Sequence, residues 1–201
     1  ALRALGAGMI DKIFYFTSKN TTALAALDAA RNMSASTGIR AVHITAKERI
    51  CPVRLRDPMK CTPEVCPRAR GHYGRVPDAL AELVRSAHIY DADTIAEAAG
   101  RHSVCPYELS LDLSEACDIV ICDCNYLIDE AAYFRRYFEP GATDARYVFL
   151  FDEAHNLLDR AKACYGGELR RSEIRRFLDE VRTVPKNAVC DALADLEFYI
   201  D

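Results

Sequence analysis

Two adjacent carboxylates and a histidine follow a short apolar run near residue 150. Residues 147–151 read YVFLF, which is typical of a strand buried in a parallel sheet. In open α/β sheets, ligands bind at the carboxyl edge of the strands. A carboxylate at that edge can hold Mg²⁺, usually through water, and its neighbour can activate the water that attacks the γ-phosphate of ATP. The pattern predicts Asp152 as a Mg²⁺ ligand, Glu153 as the catalytic base and His155 as a phosphate sensor. The alternative is a helix start, where acidic residues are favoured.

Four cysteines form a second candidate site. Three of them lie in a stretch without regular periodicity, and the fourth lies further along the chain. They are Cys51, Cys61, Cys66 and Cys105. A loop that lacks an apolar core of its own needs another stabilising cross-link, so a shared metal centre is favoured over free thiols. Structural zinc usually shows paired Cys-x₂₋₄-Cys knuckles, whereas only the second and third of these cysteines are close in sequence. This irregular spread favours a [4Fe–4S] cluster, with zinc and unliganded thiols as the alternatives.

The other five cysteines are predicted to be small buried apolar side chains. An odd total of nine cysteines without a secretory signal argues against a disulfide scaffold. The five are Cys117, Cys122, Cys124, Cys164 and Cys190.

The charge distribution singles out the segment around the first cysteines. The 201 residues carry a net charge of −4, but residues 47–75 contain eight Lys or Arg and three Asp or Glu. A basic segment in an acidic chain is a candidate phosphate-contacting surface, and the alternative is a solvated loop. The charge of a cluster in this segment could be offset by Arg49, Arg54, Arg56, Arg68 and Arg70.

The order of elements predicts an α/β fold with a partial parallel sheet. Strands are expected at 12–17, 40–45, 118–122 and 147–151, with a helix between the first two. Residues 46 to about 77 are irregular, helices are expected at 78–89 and 91–102, and the chain is expected to be helical after residue 155. No apolar run approaches the roughly 20 residues that span a bilayer, so no membrane association is expected.

The residues after the first expected strand suggest contact with a phosphate backbone. Thr17, Ser18 and Lys19 lie where a helix N-terminus offers amide groups to phosphate, and the alternative is a simple helix cap. The Gly-x-x-x-x-Gly-Lys-[Ser/Thr] phosphate cradle is absent. Because the chain begins at Ala1 within a helical pattern, we interpret the sequence as a fragment whose cradle lies upstream.

A four-cysteine insertion ends with Cys105 in CPYE, and the segment DIVICDCNYLID and then the DEAH tetrapeptide follow it. This combination resembles the XPD/DinG-type iron–sulfur DNA helicases of superfamily 2. The resemblance implies a RecA-like parallel sheet with an inserted, mostly helical Fe–S domain and a helical C-terminal segment. The implied divisions are helicase domain 1 at 1–45 and 116–160, the Fe–S domain at 46–115 and the start of the arch domain at 161–201. It implies ATP hydrolysis coupled to 5′-to-3′ movement on single-stranded or forked DNA by a cytoplasmic monomer.

The resemblance also assigns residues. Asp152 and Glu153 are the Mg²⁺ and water-activating acids of an ATP site, and the four named cysteines are the cluster ligands. The DNA-contacting residues it implies are Thr17, Ser18, Lys19, Asn125 and Tyr126. Since the cradle and the second motor domain are missing, this part is expected to be inactive alone. The competing interpretation is a non-enzymatic, zinc-stapled nucleic-acid-binding module, and an iron–sulfur redox protein is a weaker one.

Overall fold

The computed structural model describes residues 1–53, 61–130, 132–141, 144–167, 170–180, 191–192 and 195. The chain divides into two compact units, Ala1–Leu158 and Asp159–Asp201. The sheet and both candidate sites belong to the first unit. The expected divisions at residues 45, 115 and 160 stay predictions, and Arg54, Arg56 and Cys190 lie outside the described residues.

In the described part of the chain, five parallel strands form one sheet in the order β3-β2-β4-β1-β5. The α/β fold with a parallel sheet is therefore confirmed. The strands are β1 (Lys12–Phe16), β2 (Ala41–His43), β3 (Ile89–Tyr90), β4 (Ile119–Cys122) and β5 (Tyr147–Phe151).

Helices connect these strands, as parallel pairing requires. Within the described ranges they are α1 (Leu2–Gly6), α2 (Asn20–Thr37), α3 (Lys47–Ile50), α4 (His72–Ser86), α5 (Ala92–Arg101), α6 (Pro106–Leu113), α7 (Asn125–Ile128), α8 (Arg135–Phe138), α9 (Leu157–Tyr165) and α10 (Arg171–Glu180). Two 3₁₀ turns, Ser114–Ala116 and Ala154–Asn156, precede β4 and α9.

The two faces of β1 point into separate apolar cores, which explains why the strand is apolar almost throughout. Phe14 and Phe16 belong to a core that also contains Leu109 of α6, while Ile13 packs with Leu27 of α2 on the other face. A strand buried on both faces cannot alternate polar and apolar residues. This two-sided burial fixes β1 as a rigid support for the residues that follow it.

Two expectations about the strands are wrong. Strand β5 was expected to be buried, but Phe149 and Leu150 are 40% and 38% exposed because β5 pairs only with β1 in the described sheet. Strand β3 was not expected at all, because Ile89 was assigned to a helix at 78–89. Helix α4 instead begins at His72 and ends at Ser86, and the two-residue β3 is too short for its periodicity to be read.

Lys12 at the start of β1 is a buried lysine that ties the strand to the turn before β4. Its Nζ atom donates to the carbonyl oxygens of Ser114 at 2.9 Å, Glu115 and Cys117, and burial lowers the pKa of Lys12. Replacing Lys12 by Met is expected to lower the free energy of unfolding by about 2 kcal/mol, because buried carbonyl groups lose a charged donor. Chemical denaturation would measure this, with Lys162→Met at an exposed lysine on α9 as the control. An unchanged unfolding midpoint in the Lys12 variant would contradict this role.

Candidate functional site

Three neighbouring strands end level with one another, so the segments that follow them meet at one edge of the sheet. Phe16, the last residue of β1, pairs with Cys122 of β4 and Phe151 of β5. The amide of Thr17 donates to the Cys122 carbonyl at 3.0 Å, and the amide of Asp152 donates to the Phe16 carbonyl at 2.9 Å. The carboxyl edge therefore brings together the segments after β1, β4 and β5, where parallel sheets bind ligands.

Glu153 is held between a lysine and a histidine at this edge. The Lys19 Nζ atom lies 3.3 Å from Oε1 of Glu153, and the His155 Nδ1 atom lies 3.3 Å from Oε2. The φ angle of Glu153 is 55°, in the left-handed region that is costly for a non-glycine residue and recurs at functional sites. A carboxylate fixed in this way can orient a water molecule and accept its proton.

Asp152 is half-buried at the end of β5, directly before Glu153. Burial raises the pKa of Tyr15 on β1, and the Asp152 carboxylate raises it further. Among the described residues, no group of three or more His, Cys, Asp and Glu side chains is arranged to hold a metal ion. Protein-bound Mg²⁺ usually needs only one or two carboxylates besides water and substrate phosphates, so the Mg²⁺ role of Asp152 stays a prediction.

The segment between β1 and α2 lines a small pocket with the chemistry of a phosphate site. Thr17, Ser18 and Lys19 border a cavity of about 170 Å³ whose wall also includes Arg49, the Asp123 carboxylate and His43, whose pKa is lowered by burial. The Thr17 hydroxyl accepts the amide of Lys19 at 3.2 Å, which shapes the turn into α2. Cations next to a helix start suit an anionic phosphate. The predicted role of these residues in DNA contact remains a prediction.

The two other residues expected to contact DNA follow β4 and differ in exposure. Asn125 begins α7, is half-buried, and its amide donates to the Asp123 carboxylate at 2.9 Å. Tyr126 is only 6% exposed and packs against Phe134 in a tilted arrangement with the ring centroids 4.3 Å apart. Its hydroxyl donates to that of Tyr107 at 3.3 Å. In this conformation the Tyr126 side chain packs under the loop that follows β4. Contact between Tyr126 and DNA would require this side chain to become exposed.

Two of the four predicted ligand cysteines, Cys61 and Cys105, lie near the side chain of Lys47, and a third, Cys51, lies near Cys105. Burial alone would lower the pKa of Lys47, but its hydrogen bond to the Cys61 thiol and the nearby Cys105 raise it above the ordinary value. Burial likewise raises the pKa of Cys105, and Cys51 contributes in the same direction. These are pairwise contacts, and the four cysteines, all among the described residues, are not arranged as a metal-binding group in this structure. Their set of soft donors suits an iron–sulfur centre or zinc, and ligation itself stays a prediction.

The fourth cysteine, Cys66, is buried, and its segment is tied to the residues before Cys105. The Arg68 guanidinium donates to the carbonyl oxygens of Ala99 at 2.8 Å and Val104 at 2.9 Å. Arg70 donates to the Pro63 carbonyl at 3.2 Å, so both arginines bind backbone oxygens. The cation that the structure places against the thiols is Lys47, which the sequence did not single out. The sequence feature that could have identified Lys47 is its position one helical turn before Cys51.

The remaining cysteines divide into two groups. Cys117, Cys122 and Cys124 are buried, as expected, and burial raises the pKa of Cys117 to about 12. Cys164 is exposed on α9, so the expectation that it is a buried apolar residue is wrong.

Comparison with known proteins identifies the family of this chain. The model of the DEAD_2 family matches residues 17–174. The chain belongs to the DEAD_2 family. A curated relative of this DEAD_2 protein, the Homo sapiens "Regulator of telomere elongation helicase 1", is 27% identical over 124 residues, covering 62% of this chain and 10% of that protein. The Culex quinquefasciatus homologue is 24% identical over 187 residues, covering 88% of this chain and 18% of that protein.

Solved structures give the same result for the fold of this DEAD_2 chain. "Truncated XPD" superposes with a TM-score of 0.56 at 14% identity, covering 98% of this chain and 55% of that one. "XPD_Helicase" gives a TM-score of 0.52 at 14% identity, covering 96% of this chain and 33% of that one. These structures show the fold, and together with the family match and the helicase relatives they confirm the resemblance to the XPD-type helicases. The chain spans only 10% and 18% of the two curated relatives named above.

None of the helices in the described ranges combines the length and the apolar character that a bilayer-spanning segment needs.

Proposed function

We propose that this chain is part of an ATP-dependent helicase that moves 5′ to 3′ along single-stranded DNA and opens forked duplexes. The observation that carries the proposal is the carboxyl edge of the sheet, where Glu153 contacts Lys19 and His155 beside Asp152. The curated relatives of the chain are named helicases, and its fold is that of XPD. The activity is proposed for the whole protein, of which this chain would supply the acidic site and one DNA-contacting loop.

In the proposed reaction, Glu153 orients the attacking water and takes its proton. Its position between Lys19 and His155 fixes the direction of the carboxylate. A catalytic group that is already oriented towards the reacting water lowers the activation barrier of the hydrolysis step. Asp152 would hold Mg²⁺, which when bound neutralises charge on the phosphates of ATP. Lys19 belongs both to this site and to the pocket lined by Thr17 and Ser18, so it links nucleotide and DNA.

We further propose that Cys51, Cys61, Cys66 and Cys105 hold a [4Fe–4S] cluster. The proposal is supported by four soft donors, of which Cys61 and Cys105 lie near Lys47 and Cys51 lies near Cys105, and by Arg68, which ties the Cys66 segment to the residue before Cys105. A cluster would cross-link a segment that has little periodic core of its own. The resulting rigid lobe would help to separate the DNA strands.

The test of the proposed function is an unwinding assay with the intact protein on two matched substrates. A duplex with a 5′ single-stranded tail is expected to be opened in the presence of ATP and Mg²⁺, and a duplex with a 3′ tail is expected to remain closed. Single-stranded DNA is expected to stimulate ATP hydrolysis. Opening of the 3′-tailed substrate alone, or of neither, would contradict the proposal.

Lys19 gives a prediction about DNA binding. Replacing Lys19 by Met is expected to lower affinity for single-stranded DNA and to reduce the slope of log affinity against log salt by about 0.7, the value for one phosphate contact. Fluorescence anisotropy at several salt concentrations measures both quantities. Lys162→Met, at an exposed lysine on α9, is the control and should leave the slope unchanged. An equal slope in the Lys19 variant would remove this residue from the DNA contacts.

A further inference from the structure

We propose that His72 is a positioning residue that fixes the backbone of Cys105 for ligation before the metal centre is assembled. This inference rests on the proposed role of Cys105 as a cluster ligand. His72 touches neither nucleotide nor DNA in the function proposed above. Its effect would be exerted through a backbone amide.

The contact joins two segments that are far apart in sequence. The amide of Cys105 donates to Nδ1 of His72 at 3.2 Å, across 33 residues. His72 begins α4 and is 3% exposed, while Cys105 immediately precedes α6. The amide at that position has no partner inside the helix, and a part-buried amide without a partner is unfavourable. The histidine therefore satisfies a group that would otherwise destabilise the start of α6.

The same hydrogen bond determines the tautomer of the ring. Since Nδ1 accepts the amide hydrogen, the ring proton resides on Nε2. Nε2 is buried without a hydrogen-bond partner in the described part of the chain, and Oδ2 of Asp112 lies 3.8 Å from it. The other oxygen of Asp112 accepts from Arg136 at 3.0 Å, which holds the carboxylate in place. The ring orientation is thus set by the Cys105 amide, while the Asp112 carboxylate lies beyond hydrogen-bond distance of Nε2.

Two arginines complete the support for the residues before Cys105. Arg75 donates to the carbonyls of His102 at 3.1 Å and Ser103 at 2.8 Å, and Arg68 donates to the Val104 carbonyl. Ser103 has a φ of 54°, a left-handed conformation that persists only where the surroundings hold it. The arginines bind the carbonyl groups of this turn and His72 binds the next amide. The turn is therefore fixed by contacts on both sides of the backbone.

The arrangement matters for ligation because a preorganised ligand does not have to be ordered when the metal binds. Arg68 lies two residues after Cys66 and His72 begins the next helix. The segment that contains one proposed ligand therefore immobilises the segment that contains another. Loss of the His72 contact is expected to loosen Cys105 while leaving the thiol itself unchanged.

Three substitutions at His72 separate the roles of its two ring nitrogens. His72→Asn places an acceptor near the position of Nδ1, His72→Gln places one near Nε2, and His72→Leu supplies none. Two readouts apply to the intact protein. The first is hydrogen exchange of the Cys105 amide in metal-free protein, and the second is the rate of iron loss to a chelator. His88→Leu is the control, because His88 is an exposed histidine that contacts the Gly38 carbonyl.

The Leu and Gln variants are expected to show roughly tenfold faster amide exchange and iron loss, because a part-buried amide loses its acceptor. The Asn variant and the control are expected to stay within about twofold of the unchanged protein. The proposal would be overturned if the Asn and Gln variants had equal rates of amide exchange and iron loss. It would also be overturned if both rates were unchanged in the Leu variant. If the Leu variant does not fold, the comparison of Asn with Gln still decides.

The two proposals can fail separately. Absence of iron from the unchanged protein would overturn the cluster. A Cys105 amide that exchanges freely in metal-free protein would overturn the positioning role of His72, whatever metal the protein holds.

Discussion

Replacing Glu153 by Gln is expected to lower the rate of ATP hydrolysis about a thousandfold, since a general base contributes factors of this order. The amide keeps the size of the side chain but cannot take the proton of the attacking water. Binding of nucleotide should change little, because Glu153 would act on the water and not on the phosphates. Steady-state hydrolysis in the presence of single-stranded DNA, together with nucleotide affinity, measures the two effects.

The control for this variant is Glu97→Gln, an exposed glutamate on α5. It should hydrolyse ATP at the rate of the unchanged protein. A fall of less than tenfold in the Glu153 variant would mean that another group activates the water. In that case the contacts with Lys19 and His155 would be those of a helix start.

The Cys105→Ser variant is expected to lose its iron and its unwinding activity while keeping the parallel sheet. The Cys105 side chain lies outside the two apolar cores that hold the strands, so circular dichroism should change little. A four-thiolate cluster that loses one ligand has no equivalent replacement, because the serine hydroxyl is a poor ligand for iron. Iron content, visible absorption and unwinding of a forked duplex are the measurements.

Cys164→Ser serves as the matched control, because Cys164 is exposed on α9. It should retain both iron and activity. Unchanged iron in the Cys105 variant would remove this residue from the ligand set and would also remove the reason for the contact with His72.

The parts of the fold that could be predicted are those with a strong local signal. The apolar runs that became β1 and β5 have the predicted bounds within one residue, because a strand in a parallel sheet must be apolar over its length. The short β3 has too few residues for a period, and the start of α4 was hidden by Pro77, which lies inside the helix. The exposure of β5 depends on which strand lies beside it, and pairing order is not encoded locally.

The same distinction applies to the sites. Asp152, Glu153 and His155 are recognisable because they follow a strand directly, and the cysteines are recognisable by residue type. The contacts of Lys47 and His72 are not recognisable, because each depends on a turn far away in sequence that brings Cys61 or Cys105 to it. The burial of Tyr126 is also a product of packing, here against Phe134. Residue chemistry thus identified candidates, and long-range packing decided which neighbours they have.

The metal content of protein purified without oxygen tests the central claim most directly. The account predicts about four iron and four acid-labile sulfide per chain, with broad visible absorption that disappears on treatment with a chelator. One zinc ion per chain and a colourless protein would contradict it. That result would favour a zinc-stapled nucleic-acid-binding module, in which the four thiols serve only to hold the segment together.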